Sequence, residues 1–517
     1  MTLLHHINVL PTGNYLFAVR SSSFSCITMI IKLITFIFVY SRLAAANNLY
    51  PKYHLSPDRG WMNDPNGFCF FNGVYHLFYQ HNPYSSYGPG IVHWGHAVST
   101  DFFHWKHLPV ALNPDQWYDD GGVFSGSCLV DAGKMYLYYT GNVNHEGETP
   151  DHSQYQALAT SDDGYNIAKY EMNPIINGSG FQPDLRDPKI WKHGNKYYMV
   201  LGNSFKGESN ETLGRILLWE SSDKINWEKA SILLESDGRL GYMFECPDFF
   251  ELDGHWVLLF SPQGVKPEGD KYNNLYQTGH IIGDFSYETK TFTPLYDFQE
   301  LDHGHDFYAT QTTLDEDGSR VVIAWMDMWD QNYPEMDQGF AGQMTLARKL
   351  KLGKNGILLQ KPVKDIDAAR GRVLHSGVTR GGKVIKLVNN TGEILIRSSP
   401  LLNLDVFIES EGNQVQISYD RQKGTITLDR GGKDAVRRTN WRPLGKLTWR
   451  LYIDSSSIEL FCGNGEVTFS SRFFPTGPVS IRLGRQSIVD NMTVRKIKSI
   501  CAQPGTEPTT SGMRVTR

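Results

Sequence analysis

Five short polar clusters hold the residues best suited to chemistry: Trp61-Met-Asn-Asp-Pro-Asn-Gly67, Phe124-Ser-Gly-Ser127, Arg186-Asp-Pro188, Glu245-Cys-Pro-Asp248 and Asp302-His-Gly-His-Asp-Phe-Tyr-Ala309. Each alone has an ordinary structural reading, because Asn-Asp-Pro, Asp-Pro and Ser-Gly are common turn sequences. Together they offer Asp64, Asp187 and Glu245 without a metal-binding HExxH, a glycine-rich phosphate loop or a nucleophile elbow. Such a set suits glycoside hydrolysis, in which one carboxylate attacks and another protonates the leaving group. Glu245, between Phe244 and Cys246-Pro247, is expected to hold its proton in apolar surroundings and serve as the acid. Asp64, beside Asn63, Asn66 and turn amides, is expected to stay ionised as the nucleophile. Arg186 is expected to keep Asp187 ionised to accept sugar hydroxyls. His303 and His305 could ligate a metal, but no second ligand set accompanies them, and structural imidazoles are expected.

The elements that must position these residues are β-hairpins. Phe68–Gln80, Cys128–Thr140, Pro188–Leu201, Phe249–Phe260 and Thr312–Trp325 each read as an apolar strand, a tight turn and a second apolar strand. Their turn glycines, 73, 133, 194, 254 and 318, are separated by 60, 61, 60 and 64 residues. Roughly 60 residues accommodate a four-stranded sheet with its loops, and radial repetition of such sheets is a propeller. The count predicts a five-bladed β-propeller over 50–362; the competing reading is a β-sandwich with coincidental spacing. Counted back from each glycine, Asp64 stands at 9, Ser125 at 8, Asp187 at 7, Glu245 at 9 and Asp306 at 12. If each hairpin begins with the innermost strand, all five clusters converge on one mouth of the central channel. A ring of like charges there is costly to folding unless function requires it.

Beyond the repeat, 363–386 is basic and glycine-rich and reads as a linker. Short alternating strands then predict a β-sandwich over 387–501, and 502–517 reads as a disordered tail. The chain is therefore expected to be all-β, a propeller followed by a C-terminal sandwich. The apolar run from Met29 to Tyr40, with small residues to Ala46, reads as a cleaved secretory signal, with residues 1–28 as an extension upstream of a start at Met29. Sequons at Asn177, Asn210, Asn389 and Asn491 suit a secreted glycoprotein. The six cysteines show no paired spacing, so no disulfide framework is read. A net charge of −5 argues against nucleic-acid or anionic-membrane partners.

WMNDPNG at 61–67, QHNPY at 80–84, FSGS at 124–127, RDP at 186–188, ECPD at 245–248, AWMDMW at 324–329 and SSSIELF at 455–461 resemble, in order, the motifs of glycoside hydrolase family 32, the invertases and related fructan hydrolases. The resemblance spans about 50–500. It implies a retaining mechanism with Asp64 as nucleophile, Glu245 as acid/base and Asp187 stabilising the transition state, the two catalytic carboxyls about 5–5.5 Å apart. It also implies that Asn63, Gln80, Phe124, Ser125 and Arg186 bind fructose, that Trp61 forms part of the pocket wall, and that no metal or cofactor is needed. After QHNPY the sequence departs from bacterial sucrose hydrolases, with Tyr87 and the later His93-Trp94 expected to supply the aromatic wall. Ser261–Leu275 is similar to sucrose or sucrose-6-phosphate hydrolases. The expected partner is a small sugar and the expected state a monomer or weak homo-oligomer. Sucrose is the favoured substrate; an exo-inulinase or levanase, a sucrose-6-phosphate hydrolase and a catalytically silent sugar-binding propeller are the alternatives.

Overall fold

The computed structural model describes residues 48–500 apart from residue 182; the expected signal and upstream extension, and the tail at 502–517, lie outside the described residues. From Gly60 to Pro362 the chain forms five separate antiparallel sheets of four strands, with short additions at some edges. Their first strands are Gly60–Phe71, Gly122–Asp131, Leu185–His193, Met243–Leu252 and Tyr308–Leu314. Each touches the first strand of the next sheet, and the fifth touches the first again, which closes a ring around a channel. Closure is reinforced by Phe340–Ala341, which pairs in parallel with Gly60 and Trp61.

The hairpin turns explain the regularity. Asn72-Gly73, Ala132-Gly133 and Asp253-Gly254 place two successive residues at positive φ, between 50° and 85°. This is the primed turn geometry whose twist matches that of paired strands. Between neighbouring sheets the apolar faces interdigitate, as where Phe78, Trp94, Val123, Leu137 and Tyr139 form one cluster.

The C-terminal part is a sandwich of two six-stranded sheets. Alternating residues such as Ile394, Ile396, Val406, Ile408, Val415, Ile417 and Leu451 all turn inward into its core. Each contributes about 1.5–3 kcal/mol through burial. The expected linker is a correction: Arg370–Arg380 is an edge strand of one sheet and Val384–Lys386 an edge strand of the other. Both are largely exposed, so they carry basic residues and glycine in place of the apolar alternation that marks a strand in sequence.

Propeller and sandwich are joined by buried charge. Arg348 pairs with Asp302 at 3.0 Å and with Glu459 at 2.5 Å, while His54 bridges Asp454 and Glu459, each at 2.8 Å. Asp454 also accepts the backbone N–H groups of Lys52, Tyr53 and His54. Such pairs are a weak source of net stability, but an unpaired partner left behind is costly, so they specify how the two parts dock.

Candidate active site

In a regular strand, consecutive side chains face opposite sides of the sheet. All five first strands depart from that rule near the channel mouth, with register shifts at Met62/Pro65, Val123/Gly126, Arg186/Lys189, Glu245/Asp248 and Tyr308/Gln311. A bulge re-aims side chains, and here it lets sequence neighbours, Asn63 with Asp64, Phe124 with Ser125 and Arg186 with Asp187, line one pocket. Asp187, Cys246 and Ala309 hold the bulges at φ of 67°, 48° and 50°.

Three carboxyl groups from three sheets meet in this pocket: Asp64, Asp187 and Glu245. Asp64 accepts a hydrogen bond from the Ser125 hydroxyl at 2.8 Å on Oδ2 and from the Asn63 amide at 3.1 Å on Oδ1. Asp187 accepts the backbone N–H of Cys246 at 2.9 Å. The Cys246 thiol lies between the two, 3.5 Å from Asp64 and 3.7 Å from Asp187. Burial and then the Glu245 charge push Asp64 up to about 6, against the Asn63, Ser125 and Cys246 donors. Burial pushes Asp187 up to about 7 against the pull of the Arg186 charge, and the nearby Glu245 and Asp64 charges add to the rise. Asp64 and Asp187 therefore both hold their protons up to near neutrality.

Glu245 is held from all sides. Arg186 donates to Oε1 from Nε at 3.1 Å and from Nη2 at 2.8 Å; Gln263 donates to Oε2 at 2.8 Å, and the Tyr308 hydroxyl also donates to Oε2. Gln80 is buried, with neither polar atom of its amide partnered within the protein, and it faces the same pocket. A buried amide left open in this way is a ready ligand for hydroxyl groups.

Several expectations need correction. Glu245 does not sit in apolar surroundings, because strand alternation sends Phe244 into an apolar cluster and Glu245 to the polar side. Arg186 forks onto Glu245 and stands 4.0 Å from Asp187; its charge still favours ionised Asp187, but burial outweighs it. Asn66 accepts from Gly126 N–H and donates to the Asp64 backbone carbonyl, leaving the carboxylate to Ser125, Asn63 and Cys246. Trp61 is absent from the pocket lining; it stacks behind Trp329, which does line it, and donates to Asn63 at 2.8 Å. Tyr87 is exposed and bonded to Asp337, and Trp94 is fully buried, so Pro89, Gly90 and Val92 form the wall on that side.

The fifth cluster diverges most. Asp306 pairs with Arg430 at 2.6 Å and Asp302 with Arg348, and the His305 ring lies between Ser471 and the Ala435 carbonyl, so all three serve the seam with the sandwich. Only Tyr308 reaches the site from this cluster. Tyr308 and Trp329 stand within motifs already visible in the sequence, and Gln263, at the end of the second strand His255–Gln263, lies in the Ser261–Leu275 stretch, where nothing singled it out as a partner of Glu245.

Residues 54–362 match the model of the glycosyl hydrolases family 32 N-terminal domain and residues 393–498 that of the family 32 C-terminal domain. The chain is 38% identical to an Escherichia coli raffinose invertase, over 83% of this chain and 90% of that protein. It is 39% identical to an Escherichia coli sucrose-6-phosphate hydrolase, over the same shares of 83% and 90%. A solved Bombyx mori family 32 β-fructofuranosidase, a mutant in complex with sucrose, superposes with a TM-score of 0.81 at 40% identity, covering 90% of this chain and 97% of that one.

Proposed function

This chain belongs to glycosyl hydrolase family 32, and from that premise we propose that it is a retaining β-fructofuranosidase whose preferred substrate is sucrose, an invertase. The observation that carries the reading is the meeting of Asp64, Asp187 and Glu245 in one pocket beside the open amide of Gln80. Asp64 attacks the anomeric carbon of a terminal β-fructosyl unit while Glu245 gives its proton to the departing glycosidic oxygen. Water then gives a proton to Glu245 and attacks the same carbon, which releases fructose and frees Asp64 with retention. Asp187 and Gln80 hold fructose hydroxyls, and Phe124 and Trp329 cover the apolar face of the ring.

Two features favour sucrose over its 6-phosphate. Among the described residues Arg186 is the one cation lining the pocket, and Asp184 and Glu245 already engage it, so none of these offers a free positive charge to a phosphate. The Bombyx mori relative is bound to sucrose itself. Secretion is part of the same reading: the apolar run from Met29 is followed by small residues, and the sequon asparagines 177, 210 and 389 are exposed.

The test is fructose release from sucrose, sucrose 6-phosphate, inulin and levan supplied separately. Sucrose is expected to be cleaved fastest. Faster release from another sugar would transfer the preference to it, and no release from any would remove the hydrolase reading.

A further inference from the structure

Arg186 stands among carboxylates that pull it in different directions. Its Nη1 pairs with Asp184 at 2.6 Å, its Nη2 with Glu245 at 2.8 Å, and its Nε is 4.0 Å from Asp187. Asp184 lies outside the pocket lining and is itself anchored. Its Oδ1 faces His152 Nε2 at 3.0 Å, its Oδ2 accepts from the Ser204 hydroxyl at 3.2 Å, and its carbonyl accepts from the Asn203 amide at 2.6 Å and from the Ser204 N–H at 3.0 Å. Beyond His152, Asp151 Oδ1 lies 2.7 Å from its Nδ1. Against the penalty of burial, Arg186 and His152 hold the Asp184 carboxyl well below the usual carboxylate range, so it is a standing negative charge.

We propose that Asp184 is a positioning residue that grips Arg186 from behind and keeps it on Glu245. A guanidinium is a rigid planar fork, so fixing one terminal nitrogen fixes the direction of the other two. Without that grip, the Asp187 carboxylate is close enough to draw the fork away, and Glu245 loses its one cationic partner among the described residues of the pocket. The surface histidine His152 is the outer anchor of the chain that runs through Asp184 and Arg186 to Glu245. The rate consequence rests on the proposed function; the placement of Arg186 does not.

The experiment compares wild type, Asp184→Ala and Asp184→Asn in crystals and in sucrose hydrolysis across pH. In Asp184→Ala the contact from Arg186 Nη2 to Glu245 is expected to open beyond about 4 Å, the salt-bridge limit. The kcat is expected to fall roughly tenfold, with KM changed by less than about threefold, as for an interaction made chiefly in the transition state. The alkaline limb of the rate profile is expected to move to higher pH, since a carboxyl without its cation keeps its proton longer. Asp184→Asn retains an acceptor oxygen for Nη1 and is expected to recover most of the rate. A role confined to stability would lower Tm without moving the limb. A guanidinium still seated on Glu245 in Asp184→Ala, or an unmoved limb in that variant, overturns the proposal. Failure of the wild type to release fructose would remove the functional reading, while the crystal comparison would still decide where Asp184 holds Arg186.

Discussion

The thiol of Cys246 points at the Asp64 carboxylate, 3.5 Å from Oδ2, across the gap between the fourth and first sheets. Burial, followed by the Asp187 and Asp64 charges, pushes this thiol well above its usual range, so it stays protonated and can only donate. It thus joins Ser125 and Asn63 in stabilising ionised Asp64.

Removing such a donor raises the proton affinity of Asp64, which already stands at about 6. Because the nucleophile must be ionised, Ser125→Ala is expected to move the acid limb of kcat/KM upward by about one to two pH units, since a hydrogen bond to a charged group is worth about 1.5–3 kcal/mol. Cys246→Ala is expected to move it the same way by less, because a thiol is a weaker donor. Rate profiles between pH 4 and 8 measure both, and a limb that stays or moves down would contradict the assignment of Asp64.

Asp64→Asn and Glu245→Gln are each expected to lower sucrose turnover by at least about a thousandfold while leaving near-UV circular dichroism unchanged. The double variant is expected to be little worse than either single one, because both residues act in one reaction cycle. Near-normal turnover in either would remove that residue from its role.

Tyr308→Phe deletes a donor to Glu245 Oε2 and leaves Gln263 and Arg186 in place. The protonated carboxyl is then favoured, so the alkaline limb is expected to move to higher pH with kcat reduced roughly tenfold. Unchanged kinetics would show that the hydroxyl only packs.

His54 gives a test of the seam. Burial lowers its proton affinity, but Asp454 and Glu459 more than offset this and raise it to about 9. A folded value above the unfolded 6.5 means that this stabilisation is fully present below pH 6.5 and is lost as pH rises through about 9. The gap corresponds to about 3 kcal/mol. In denaturant titrations, His54→Gln is therefore expected to be less stable than wild type at pH 6 by an amount of that order, the difference narrowing by pH 9.5. A difference independent of pH would assign the loss to packing.

Local chemistry wrote much of this protein in one dimension. Glycine reaches positive φ without strain, so five evenly spaced turn glycines marked five hairpins, and Asp64, Ser125, Asp187 and Glu245, seven to nine residues before four of them, marked where the first strands begin. Asp64, Asp187, Glu245, Gln80, Phe124, Ser125, Arg186 and Asn63 line one pocket because strand geometry converts sequence distance into position along the channel.

The pairing of side chains was decided only when the sheets docked. Arg186 is beside Asp187 in the chain, yet it bonds Glu245, 59 positions away, because a bulge turns the guanidinium across the channel. Asp306 has the same composition of neighbours as a site acid, yet Arg430 and Arg472 of the sandwich claim it. Trp329 lines the pocket that Trp61 was expected to wall, and the Trp61 ring stacks on it with centroids 6.2 Å apart. Residue type and spacing set which groups could act; the direction of each side chain, and with it each charge's partner, depends on contacts between segments that sequence neighbours do not determine.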